Sequence, residues 1–188
     1  MILDTKILYK EKINELKGAL DLKNTFSLPK IDKVTISAGI GRHRASKDMV
    51  EYIENTLTKI AGQKPVRTTA KKSIASFKVR EGDLVGLKVT LRGDYMNDFL
   101  NRLINITMPR IRDFRGFTDN QFDKFGNLTL GFRDQTPFVE SSQDALEKPF
   151  GFAVTVSIKN SNKEKSLILL KALGFPMRPN LGEEKGNR

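Results

Sequence analysis

Within residues 84–92, LVGLKVTLR, Val85, Leu87, Val89 and Leu91 alternate with Gly86, Lys88, Thr90 and Arg92. A period of two is what a β-strand with one buried and one open face requires, so this stretch commits the chain to a sheet covered on one side. Three further segments repeat the pattern. In KVTIS (33–37), Val34 and Ile36 oppose Lys33, Thr35 and Ser37. In NLTLGFR (127–133), Leu128, Leu130 and Phe132 oppose Asn127, Thr129, Gly131 and Arg133. In GFAVTVSIK (151–159), Phe152, Val154, Val156 and Ile158 oppose Ala153, Thr155, Ser157 and Lys159. A shorter strand is expected near VRT (66–68).

Helical spacing supplies the cover. Ile13, Leu16 and Leu20 predict a helix over 5–21. Ser46 is placed to cap a second helix with Val50, Ile53, Leu57 and Ile60 on one face, ended by GQKP (62–65). Asp94 is placed to cap a third, carrying Phe99, Leu100, Leu103 and Ile104 and stopping before Pro109. Ser161 and Glu164 read as a capping box for a last helix, EKSLILLKAL, closed by Gly174 and Pro176. Helices and strands mix without strict βαβ alternation. The predicted class is therefore α+β: a mainly antiparallel sheet, helices packed on one face, the other face polar and basic. The expected organisation is one domain over 1–180 and a disordered tail over 181–188.

The polar sides of the four clear strands hold fifteen positions, counting Gly86, Lys88, Thr90 and Arg92, and not one carboxylate, although Asp and Glu make up 22 of 188 residues. A merely solvated face mixes Glu with Lys, because opposite charges pair across strands. A face of Thr, Ser, Gly, Lys and Arg instead offers donors and close backbone approach to phosphates and riboses. The whole chain carries a net charge of +11, and residues 62–92 hold eight basic residues against Glu81 and Asp83. A field of that sign attracts polyanions, of which nucleic acid is the commonest in a cell. Within this stretch Phe77 stands amid cations, where it either stacks on a base or pins a loop to the core.

Several functions find no support. Without cysteine there is no disulfide framework and no thiolate site. His43 is the lone histidine and sits between Arg42 and Arg44, which suits an anion and not a metal. GIGRHR (39–44) lacks the third glycine of a dinucleotide loop. No cofactor or metal is expected. The N-terminus lacks the apolar run of a signal peptide and no stretch approaches a membrane span, so a soluble cytoplasmic protein is expected.

RLINITMPRIRDFRGF (102–117) sets Arg102, Arg110, Arg112 and Arg115 among Ile104, Ile106, Ile111, Phe114 and Phe117. Either the arginines solubilise a surface segment or they hold an anion that the fold presents to them.

The block from GQKPVRTTAKKSIASFKVREGD through LVGLKVTLRGDYMNDFLNRLINITMPRIRDFRGF resembles large-subunit ribosomal protein five, the bacterial type that binds 5S rRNA. FDKFGNLTLGFRDQTPF and ALGFPMRP fit the same family, and the likeness runs from about residue 5 to residue 179. It implies a protein of the central protuberance that binds 5S rRNA within the large-subunit rRNA. It also implies a loop reaching the P-site tRNA, and a surface bridging to neighbouring ribosomal proteins, one of them in the small-subunit head. Carried over by position, the rRNA contacts fall on Gln63 and Lys64 of GQKP, Phe77, Lys88, Thr90 and Arg92. Ser37 stands where most relatives have Asn. The tRNA-facing loop is about 70–84, with Lys71, Lys72, Lys78 and Arg80. TPFVESSQDALEKPFG (136–151) departs from the family's usual continuation. A free-standing RNA-binding module of the RRM type is the alternative, but it needs aromatics on the open face, and Phe132 and Phe152 fall on the apolar side. An RNA-modifying enzyme needs a cofactor loop or a general base beside the basic groove, and neither is present in the sequence.

Overall fold

The computed structural model describes residues 4–41, 43, 46–141 and 148–178. Five strands, β1 (Lys30–Gly39), β2 (Val66–Thr69), β3 (Leu84–Leu91), β4 (Leu128–Phe132) and β5 (Phe152–Lys159), form one sheet in the order β2-β3-β1-β5-β4. Every neighbouring pair is antiparallel. The α+β class read from the sequence is the class observed.

The alternation sorts as expected. Val34, Ile36, Leu87, Val89, Leu91, Leu130, Val154 and Val156 are buried, while Ser37, Lys88, Thr129 and Gly131 on the other side are exposed. One face is covered by α3 (Lys47–Ala61), α4 (Gly93–Arg102) and α6 (Lys163–Ala172), whose Ile53, Leu57, Phe99, Leu100, Leu169 and Leu170 join the strand residues in one core. Each such side chain contributes roughly 1.5–3 kcal/mol on leaving water, which is why the apolar face closes and the polar one need not. Ser46 caps α3 by accepting from the Met49 N–H, and Gly62, at φ 70°, turns the chain out of it.

Four helix expectations are corrected. The helix predicted over 5–21 is two, α1 (Thr5–Glu11) and α2 (Ile13–Ala19), joined at Lys12. Asp94 does not cap α4: Gly93, at φ 59°, makes the turn, and Asp94 in the first helical turn takes the Lys6 ammonium at 2.8 Å, tying α1 to α4. Ser161 does not open α6. Asn162 does, accepting from the Lys165 N–H at 2.9 Å, while the Ser161 hydroxyl bonds that of Ser166. Finally, the third helix does not stop before Pro109. It widens into a π turn over Leu103–Thr107, where the Met108 N–H reaches back to the Leu103 carbonyl, and continues as α5 (Met108–Arg110). The wider turn resets the hydrogen-bond register, so Pro109 enters at the start of a new helical piece, where a missing N–H is tolerated.

Phe138, from the segment 136–151, is buried against Phe99, Phe132 and Phe152. Fully buried Gln135 spans the two described ends of that segment, accepting from the Phe150 N–H at 3.1 Å and donating to the Lys148 carbonyl at 3.0 Å. Residues 142–147 within it, the expected tail at 181–188, and Arg42 and Arg44 beside His43 lie outside the described residues.

Candidate nucleic-acid interface

The register of the sheet assembles the open face. Thr90 of β3 pairs with Thr35 of β1, Thr35 with Thr155 of β5, and Thr155 with Thr129 of β4. Four threonines therefore form one rung across four strands, and the Thr129 and Thr155 hydroxyls are 3.2 Å apart. The rung beside it runs Val66, Lys88, Ser37, Ala153, Gly131. Next come Thr68, Gly86 and Gly39, where a Cβ added at Gly86 would sit 3.0 Å from the Ala38 carbonyl oxygen and from the Thr68 hydroxyl. These rungs present hydroxyls, small residues, exposed Val66 and exposed Lys88. Such a surface suits ribose and phosphate oxygens.

Ser37, Lys88 and Thr90 are thus adjacent, on the face to which alternation assigned each of them. Since Val66 faces Lys88 and β2 runs antiparallel to β3, Lys64 and Gln63 lie toward the Thr90 end, both exposed. Arg92 follows at the same end. Phe77 belongs elsewhere. β2 and β3 continue past Thr69 and Leu84 into a hairpin closed by Ala70 N–H to the Asp83 carbonyl at 2.8 Å and by the bridge Ile74↔Val79. Phe77, 74% exposed, is at its tip with Lys71, Lys72, Lys78 and Arg80, at the opposite end of β2–β3 from Gln63. Lys78 turns the tip with φ 51°. The structure therefore groups Phe77 with the loop cations rather than with the sheet-face residues.

The face is not wholly free of acid. β1 carries a bulge between Ile31 and Lys33, and the extra residue, Asp32, puts its carboxylate 2.8 Å from the Lys159 ammonium and 3.2 Å from the Arg92 guanidinium. The hydrogen bond from Lys159, then that from Arg92, holds the Asp32 carboxyl below its usual range against the opposing effect of burial. Two of the expected cations thereby share one carboxylate, which offsets one of their two charges from within. Single-strand alternation could not reveal this, because a bulge breaks the parity on which face assignment rests. At the β2 edge the buried Glu54 of α3 takes Arg67 Nε at 2.9 Å and Nη2 at 2.6 Å, with Lys64 Nζ at 3.8 Å. Among the described residues no ion pair engages Lys88, Lys71 or Lys72.

In the arginine-rich segment, Arg102 is internal: it pairs with Glu140 and donates to the Ile60 carbonyl. Arg110, Arg112 and Arg115 are exposed on a strap anchored by Phe114 packed edge-on against Phe117 and by Phe117 paired with Met177. Gly116, at φ 93°, lets the strap lie on the 176–178 backbone, where an added Cβ would be 2.7 Å from the Arg178 nitrogen. The described residues contain no cluster of potential metal ligands and no helix long and apolar enough to cross a membrane.

Comparison with known proteins gives a consistent result. A family model described as Ribosomal protein L5 matches residues 24–80, and a second, for the C-terminus of the same ribosomal family, matches residues 84–177. The chain is 46% identical over 171 residues to the large ribosomal subunit protein uL5 of Pelagibacter ubique, covering 91% of this chain and 93% of that protein. It is 46% identical to the uL5 of Francisella tularensis subsp. novicida, over 90% and 94% of the two chains, and 43% identical to that of Colwellia psychrerythraea, over 91% and 95%. The chain belongs to the ribosomal L5 (uL5) family, structural proteins of the large ribosomal subunit rather than enzymes.

Proposed function

We propose that this chain docks 5S rRNA on the open face of its sheet, in the central protuberance of the cytoplasmic ribosome. The hairpin over about 70–84 reaches the P-site tRNA, and a separate surface meets a protein of the small-subunit head. One observation carries the first and main part: the rung Thr90–Thr35–Thr155–Thr129, flanked by Ser37 and by Lys88, which no ion pair engages among the described residues, is a polar surface on a sheet whose other face is covered. Lys88 and Lys64 displace counterions from the phosphates of 5S rRNA, the loop lysines do the same on tRNA, and the hydroxyls read ribose and shape. The RRM-like alternative is weakened by the burial of Phe152 on the core side.

Purified chain mixed with total RNA and recovered at moderate salt should retain 5S rRNA in preference to tRNA and rRNA fragments. If about six phosphates are neutralised, affinity should fall on the order of 1,000-fold between about 50 and about 200 mM salt. Retention of all RNAs in proportion to their length would defeat the reading.

A further inference from the structure

The strand at the far edge of the sheet lends Thr129 to the open face, but its outer backbone edge lies outside that rung. β4 pairs with β5 on one side. On its other side, among the described residues, the bridge Phe122↔Leu128 engages only its first residue. From Leu130 to Arg133 the strand instead borders a groove of about 730 Å³ whose opposite bank is the strap Arg110–Phe114. Met108 and Phe117, both buried, form part of its apolar floor, while Arg110, Arg112 and Arg133 stand exposed on its rim. Two rim acids offset part of this charge: Asp113 lies 3.9 Å from Arg112, and Asp134 accepts from the Thr136 N–H, so three guanidinium groups stand against two carboxylates.

An uncovered strand edge is a row of unmet backbone donors and acceptors, and proteins normally cover or blunt it. Here it is paired with a hydrophobic floor and three guanidinium groups. We propose that the groove takes an acidic, extended segment of a partner protein, which adds a strand to the free edge of β4. Its alternate apolar side chains rest on Phe117 and Phe132, and its carboxylates meet Arg110, Arg112 and Arg133. Backbone pairing supplies affinity in such additions, and alternate side-chain pockets supply specificity. Guanidinium forks match carboxylates in two-point geometry. A nucleic acid strand would satisfy the arginines, but it has no amide ribbon for the edge and nothing to cover the floor.

The test is fluorescence anisotropy of the full chain with a labelled, acetylated octapeptide alternating glutamate and valine. Saturable binding is expected. The same peptide with every second backbone amide methylated should bind at least 10-fold more weakly, and so should a chain carrying Arg110→Glu and Arg133→Glu. A uridine decamer should not displace the peptide. Undiminished binding of the methylated peptide would overturn the proposal, since it reduces the interaction to charge attraction. Displacement by the decamer at equal concentration would also overturn it and assign the groove to RNA. If the double variant melts early, the methylated-peptide comparison on the unaltered chain still decides.

Discussion

Thr35 of β1 and Thr90 of β3 are register partners on the open face, half-exposed and flanked by a covered core only one side chain away along each strand. Thr90 can therefore be changed without reopening the core. Thr90→Glu, or Lys88→Glu on the next rung, should weaken 5S rRNA binding by roughly 100-fold or more, because like charge against phosphate costs several kcal/mol. Melting by circular dichroism should remain near that of the parent. Unchanged affinity in filter binding, with fold intact, would remove the sheet face from the interface.

Asp32 restrains two cations, so removing its charge should strengthen nonspecific attraction. Asp32→Asn frees Arg92 and Lys159. For each of them that then meets a phosphate, the log–log salt slope of RNA binding should steepen by about 0.9. The variant also has a pH signature. The folded-state pKa of Asp32 is depressed, so the unfolded chain binds more protons there as acid is added. The stability Asp32 contributes is complete above about pH 4 and lost as pH falls through its lowered value. Urea melts should show parent and variant differing near neutrality and converging as acid protonates the Asp32 carboxyl below the ordinary carboxylate range.

Glu54 is a buried carboxylate whose partners come from the β2 edge. Arg67→Ala leaves it with only Lys64 at 3.8 Å and should cost about 1–3 kcal/mol in urea unfolding. Changing Glu54 and Arg67 together to leucine should cost less than the two single changes summed, since no buried charge is then stranded. Strict additivity would show that the pair is not coupled.

Gly126 and Gly131 make a paired test of backbone geometry. At Gly126, φ is 80° and an added Cβ would lie 2.6 Å from the Asn162 carbonyl oxygen, so Gly126→Ala should destabilise by roughly 2–4 kcal/mol. At Gly131 nothing lies within 4 Å, and alanine there should stay within about 0.5 kcal/mol of the parent. Thermal melts of both variants check the contrast.

The hairpin stands apart from the sheet face, so its charges should be separable. Lys71→Ala with Lys72→Ala should leave 5S rRNA binding within about threefold, allowing for lost long-range attraction alone. Binding of P-site tRNA to reconstituted ribosomes should weaken more. Equal loss of both would merge the two sites.

Strand alternation and helix spacing are local facts, so the chain alone determined which residues point inward and that the opposite face would be polar and basic. Ser37, Lys88 and Thr90 fall on that face by alternation, and the resemblance to the ribosomal family singled them out among its fifteen positions. Tertiary structure decided what lies beside what. The threonine rung needs four strands in register, contacts between residues up to 120 positions apart that no short-range pattern encodes. Asp32 reaches Arg92 and Lys159 only because a bulge resets the parity of β1. Phe77 joined the loop cations because β2 and β3 extend as a paired hairpin and carry it away from the sheet. Sequence sets the polarity of each face through side-chain period; partner choice across strands is set by backbone pairing, and that exists only once the sheet has formed.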